Sequence, residues 1–186
     1  MTTWALDNAH SQIEFAVKHM MITTVRGQFR KFTVDVDFNE ERPELSTVIA
    51  HIDASSINTG QEARDAHLRG ADFFDVEKFP ELLFRSTSIQ KDGDAYRIHG
   101  EMTIHGETRA VTLDAEVDGV VPNLQGGRRA AFSASTKISR KEFGLVWNVA
   151  LETGGWLVGD EIKINLELAL LLAEVAPAGV EVGAAA

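Results

Sequence analysis

Between Ile162 and Leu172 every second residue is a large aliphatic: Ile162, Ile164, Leu166, Leu168, Leu170 and Leu172 share one parity, and Lys163, Asn165 and Glu167 occupy the other. In extended chain successive side chains point to opposite sides, so this spacing makes a strand with one dry and one wet face. Wound as a helix, the same residues would scatter around the axis. The pattern recurs. Phe32, Val34, Val36 and Phe38 alternate with Thr33, Asp35 and Asp37, while Ile13, Phe15 and Val17 alternate with Glu14, Ala16 and Lys18. Further runs cover 47–53, 82–90, 95–104, 108–117 and 131–139. Together they predict an all-β chain of about eight antiparallel strands.

Turn signals separate the runs. Lys91-Asp-Gly-Asp94 and His105-Gly-Glu107 each place a glycine where a short hairpin needs unusual backbone, which gives an up-and-down meander. In Gly27-Gln-Phe-Arg-Lys-Phe32 the two phenylalanines are three apart and cannot share a strand face, so a bulge is expected before Phe32. One segment reads as helix, 61–68, with Thr59 as N-cap, Glu62 completing a capping box and Gly70 ending it. The following 71–80 segment carries Phe73, Phe74 and Phe79 among charges and reads as a lid loop packed on the barrel end, with a lid that also touches ligand as the alternative. Periodicity alone leaves a barrel and a sandwich equally open.

The 186 residues suit one domain, expected over 1–175, with a small-residue tail at 176–186 expected to be disordered. A net charge of −10 lacks the basic face that nucleic acid requires and offers no general attraction to anionic membranes. With no cysteine there is no disulfide framework, thiolate metal site or Cys nucleophile. The opening residues lack the basic and apolar regions of a secretory signal, and the longest apolar stretch, 168–173, falls far below the ~20 residues that span a bilayer. The expectation is a cytoplasmic protein without a transmembrane segment.

Chemistry-bearing motifs are few. Asp35-Val-Asp-Phe-Asn39 opens like a calcium loop, but Glu40 stands where the turn glycine belongs and Ser46 where the bidentate Glu belongs. The histidines His10, His19, His51, His67, His99 and His105 form no HxH or HExxH spacing, and no GxSxG, Walker or GxGxxG motif is present. Ser11, Asp65 and His67 make a trio of the kind that chance supplies in any chain of this size. No catalytic residue, metal or cofactor is therefore expected. Arg26, Arg30 and Lys31, Arg64 and Arg69, and Arg140 and Lys141 form local basic pairs; two of them meeting at a barrel mouth would suit an anionic head group, although solvated surface is the commoner fate of such residues.

An ordered set of short motifs then carries a resemblance. Trp4-Ala-Leu-Asp7 with His10-Ser11, Phe15, Val17, His19-Met20 and Gly27-Gln-Phe29 resembles the opening of the YceI-like family, bacterial proteins known for polyisoprenoid binding. The similarity continues through Ser56-Ile57, Thr59, Arg64-Asp65, His67-Leu68, Asp72-Phe-Phe-Asp75, Phe79-Pro80, Phe84, Ser86-Thr87, 100–106, 140–144, Trp147 and Val158-Gly-Asp160. It implies a lipocalin-like antiparallel barrel enclosing an isoprenoid-type lipid, usually in a homodimer, and so favours barrel over sandwich. Candidate lining residues are then Phe15, Val17, Phe32, Val34, Val36, Phe84, Phe132, Ile138 and Trp147, about half of which would instead fill solid core. Head-group candidates are His19, Arg26, Arg30, Arg64 and Arg140. The expected function is non-catalytic binding of a long-chain isoprenoid or similar amphiphile for carriage, storage or sensing. An enzyme acting on such a lipid, with His19 or His67 as acid or base, and a stress-related interaction protein with an incidental cavity are the alternatives.

Overall fold

The computed structural model describes residues 4–124 and 126–172, so the tail expected at 176–186 lies outside the described residues. The strands are β1 Trp4–Leu6, β2 Gln12–His19, β3 Thr23–Phe29, β4 Phe32–Asp37, β5 Thr47–Asp53, β6 Ile57–Asn58, β7 Glu81–Asp92, β8 Ala95–Ile104, β9 Glu107–Pro122, β10 Arg128–Ser139 and β11 Val158–Leu172, with the helix α1 at Glu62–Arg69. All neighbours are antiparallel, in the order β4-β5-β7-β8-β9-β10-β11-β2-β3-β6, and β1 pairs with the end of β11. The two predicted hairpins form. In one, Asp92 pairs with Ala95 around Gly93 at φ +65°; in the other, Ile104 pairs with Glu107 around His105 and Gly106, both left-handed.

Strands β3 and β4 are joined by only two residues, yet they lie near opposite ends of the sheet. The sheet must therefore curl until its ends meet. The join is pinned by backbone hydrogen bonds: Arg30 N–H donates to the Ser56 carbonyl at 3.2 Å, Lys31 N–H to Ser56 Oγ at 3.1 Å, and Asp53 N–H to the Lys31 carbonyl at 3.0 Å. Beside the other edge β1 packs on β4, with the rings of Trp4 and Phe38 5.7 Å apart, edge to face. The result is the lipocalin-type antiparallel architecture, closed by curling rather than by stacking two sheets.

Three expectations need correction. Eleven strands form instead of about eight, because β1 and β6 have three and two residues, too few to show a period, and β3 carries Gly27 at the centre of its apolar row. No bulge precedes Phe32. The chain leaves β3 after Phe29, which pairs with Ile57, and restarts at Phe32, which pairs with Ile52, so each ring takes its own strand's face. The helix N-cap is Gln61, not Thr59, and the helix runs one residue later than expected. Gln61 Oε1 accepts from Arg64 N–H at 2.8 Å, while the Thr59 hydroxyl bonds the buried carboxylate of Asp65.

The barrel's two ends are filled differently. At one, Trp4, Ala130 and Leu170 are buried against Phe38 and Phe132, whose rings meet edge to face at 4.9 Å. At the other lie α1 and the 71–80 loop, with Phe73 buried and Phe74 standing edge-on to Phe29 at 5.9 Å. Phe143 and Leu145, from the segment between β10 and β11, are buried in the same core.

Candidate functional site

The inward rows of the strands enclose a cavity of about 230 Å³. That exceeds the roughly 150 Å³ of an engineered apolar cavity that stays dry and takes up benzene. Almost no polar atom faces it, although Glu14, Glu116 and Arg140 stand among the residues that border it. Strand alternation explains this, since the apolar row of each strand is the one turned inward. Along β11 the inward Ile162, Ile164, Leu166 and Leu168 remain only half-buried, as side chains facing a hollow do.

Seven of the lining candidates border the cavity: Phe15, Val17, Val34, Val36, Phe84, Phe132 and Ile138. Phe32 and Trp147 lie elsewhere. Phe32 borders a separate, more open groove with Arg30, Lys31 and His51, and Trp147 packs on Phe73 at 5.2 Å and His67 at 4.8 Å. Two of the rings lie over glycines on neighbouring strands. A β-carbon at Gly27 would collide with Phe15 Cζ, and one at Gly100 with Phe84 Cζ. Each glycine thus lets a phenylalanine lie against the wall instead of across the space.

The head-group candidates do not converge. Arg26 and Arg30 are exposed, and Arg30 donates to Asn58 Oδ1 at 3.1 Å. Arg64 turns back on Thr59, with Nε at 2.7 Å from Oγ1 and Nη2 at 3.0 Å from the carbonyl. His19, at the end of β2, is half-buried beside Val158. The Ser11, Asp65 and His67 side chains bond to separate partners: the Asp7 carbonyl, Thr59 and Asp72 respectively. Among the described residues no group of three His, Asp or Glu side chains could hold a metal ion.

Comparison with known proteins fits this geometry: a model of the YceI-like domain matches residues 4–170. The chain belongs to the YceI-like family. A UPF0312 protein of Staphylococcus aureus is 35% identical over 175 residues, covering 94% of this chain and all of the relative. The crystal structure of a Campylobacter jejuni YCEI protein superposes with a TM-score of 0.73 at 30% identity, over 84% of this chain and 90% of that one. Burkholderia cenocepacia BcnA gives 0.74 at 27% identity, over 88% and 98%. A polyisoprenoid binding domain from Saccharophagus degradans shares the fold at a TM-score of 0.64 and 14% identity, over 92% and 99%.

Several motifs that carry the YceI-like resemblance build the container. Asp7 N–H donates to the Ala169 carbonyl at 2.8 Å and Ser11 Oγ accepts from Ala169 N–H at 3.0 Å, fastening the chain on both sides of the first turn to β11. Arg140 is a buried clamp. Its Nε donates to the Gly159 carbonyl at 2.8 Å, Nη1 to the Leu145 carbonyl and, at 2.9 Å, to the Trp147 carbonyl, and Nη2 to that of Val158 at 3.3 Å. Four of its five N–H groups are thus committed to the backbone. Burial lowers its pKa from the ordinary arginine value, and the nearby Asp160 carboxylate works the other way. Sequence reading missed Phe73 and Phe74 as definite lining and Val48, Ile98, Leu113 and Ala134 altogether. The strand residues were visible in the same alternating rows; the lid residues had no periodicity to mark them.

Proposed function

We propose that this YceI-like chain binds the hydrocarbon chain of one isoprenoid-type lipid in its barrel, without catalysis, for carriage, storage or sensing. The observation that supports the reading is the cavity: about 230 Å³, walled by hydrocarbon from strands all around the barrel and from the lid. At roughly 24 cal/mol per Å³, a core unfilled to that extent would forgo about 5 kcal/mol of packing, a large part of a domain's net stability. A hydrocarbon ligand returns that packing and adds ~0.8 kcal/mol for each CH₂ taken out of water, so affinity does not require a convergent polar site. The Saccharophagus degradans neighbour lends the ligand class; at its low identity it is the cavity that carries the reading.

The same proposal treats residues 1–175 as one lipid-binding unit, working in the cytoplasm as a homodimer. The lack of cysteine permits that reducing compartment. The test is direct. Protein purified without detergent is extracted with organic solvent, and the extract should contain an isoprenoid lipid by mass spectrometry. Added polyprenol should raise the melting temperature, as a ligand specific for the folded state must. Extracts free of lipid, together with no thermal shift, would defeat the reading.

A further inference from the structure

One end of the molecule exposes large apolar side chains that the barrel does not use. Met20, Met21 and Ile22 form the turn between β2 and β3, and Val146, Val149 and Trp156 lie in the segment between β10 and β11. Ile22 is 79% and Trp156 55% exposed. The two segments touch. Met20 N–H donates to the Leu157 carbonyl at 2.7 Å, and Met21 lies so close to Gly155 that a β-carbon there would meet its sulfur. Residues 149–157 themselves form a small ribbon, with Ala150 bridged to Trp156 and Leu157 N–H bonded to the Val149 carbonyl at 2.9 Å. This surface is made of two turn tips, not a flat face.

Two further features set these tips apart. Met20 and Met21 both hold left-handed backbone, φ +49° and +64°, where asparagine or glycine would sit more comfortably. Charge is also nearly absent: in a chain of net charge −10, residues 19–25 carry no Lys, Arg, Asp or Glu, and residues 143–159 carry only Glu152. Lys18 and Arg26 bound the first stretch; Glu142 and Asp160 bound the second, and Asp160 is occupied by the Ser139 hydroxyl and Lys141 N–H.

We infer that this end docks on a lipid surface. An acidic body is repelled by anionic head groups, so the end it can bring against a bilayer is its uncharged one. Protruding methionine, isoleucine and tryptophan are the side chains that settle at the boundary of head groups and acyl chains. The placement suits the cavity: Trp147 follows Val146 and packs on Phe73, which lines the hollow. Docking through these tips sets the aromatic side of the lid beside the bilayer, where a lipid tail would pass from one apolar phase to another. That last consequence rests on the lipid-binding reading; the docking does not.

The experiment uses the full chain and phosphatidylcholine vesicles in a flotation assay. Wild type should float with the vesicles, and the double variant Ile22→Asp/Trp156→Asp should float at least tenfold less. Its melting temperature should match wild type because both side chains are exposed. Brominated phosphatidylcholine should quench wild-type tryptophan fluorescence, and Trp156→Phe should lose most of that quenching while still floating. Wild type that stays in the soluble fraction would overturn the inference, as would a double variant that floats equally well. So would a dimer in analytical ultracentrifugation that the same substitutions dissociate, since a second copy would then cover the tips. Polyprenol uptake from ethanol separates the two readings: the double variant should load as wild type does from ethanol, but more slowly than wild type from vesicles. If wild type loads by neither route, the lipid-binding reading fails and the flotation result stands on its own.

Discussion

The strand β11 passes through two different interiors. Around Leu170 it is sealed: that side chain is fully buried with Trp4 and Ala130, and Phe38 and Phe132 close over them. Four residues earlier, Leu166 points to the same side of the sheet but borders the cavity and stays half-buried. Both come from one alternating row and one residue type, so composition does not separate them. What differs is what closes over the row. At the sealed end β1, paired beside β11, brings in Trp4, and Phe38, just after β4, stands edge-on to it, whereas along the middle Phe15 and Phe84 lie over Gly27 and Gly100 and leave the centre open. A row of leucines is therefore solid core or binding surface according to what faces it.

The largest effect should come from placing a carboxylate in each interior. Leu170→Glu buries an unpaired charge where no water can follow, at a cost of several kcal/mol that a marginally stable domain does not survive; its far-UV circular dichroism should lose the β spectrum. Val34→Glu puts the same group against the cavity. It should keep a wild-type-like β spectrum and yield less extractable lipid. If the two variants unfold alike, Val34 belongs to solid core and the distinction between the interiors fails there.

A smaller contrast follows from truncation. Leu170→Ala removes packing on all sides and should cost about 3 kcal/mol in urea unfolding, within the usual range for buried leucine. Leu166→Ala already lacks partners on its cavity side and should cost about 1 kcal/mol, while weakening polyprenol binding. Filling reverses the sense. Ala130→Phe overpacks a site with no free space and should cost about 2 kcal/mol or more. Ala134→Phe, on the same face of β10, grows into the hollow, so it should leave stability within about 1 kcal/mol of wild type and reduce ligand uptake.

Much of this arrangement was legible in the sequence, for definite reasons. Period-2 rows report which face of a strand is dry, and together with the turn glycines that was enough to find eight strands, both hairpins and seven of the residues that border the cavity. The row cannot report distance to the opposite wall, so hollow and solid core read alike. Very short strands escaped because two or three residues hold no period. The bulge expected before Phe32 failed because local spacing is blind to the chain's leaving one edge of the sheet for the other. Arg140 read as a mouth cation because Arg-Lys-Glu is ordinary surface sequence; only the return of 145–147 and 158–159 around it shows that it is a clamp. Thr59 matched a capping box, but its hydroxyl was taken by Asp65, a competition that spacing does not display.

The smallest expected effect concerns how the sealed end is fastened. Asp7, just after β1, accepts from His10 Nδ1 at 2.8 Å, from Arg129 Nη2 at 2.9 Å and from Ala9 N–H at 3.2 Å, and so ties β1 to the first residues of β10. Burial works to raise its pKa; the hydrogen bond and charge of His10, the Ala9 N–H and the Arg129 charge outweigh it and hold the carboxyl below its ordinary 3.8. A carboxyl depressed in the folded state contributes stability above its unfolded pKa and loses it as pH falls through the folded one. The sealed end should thus loosen on the acid side of about pH 4, and not between about pH 5 and 7 on account of this group. Because His10 is largely exposed, solvent screens much of the interaction and the contribution is small. Asp7→Asn should lower stability slightly at about pH 6 and flatten the fall in urea midpoint between about pH 5 and 2, whereas Leu166→Ala, on the hollow side, should keep the wild-type slope. An Asp7→Asn variant with the full acid-side fall would show that other carboxylates, and not this tie, set the acid limit of the sealed end.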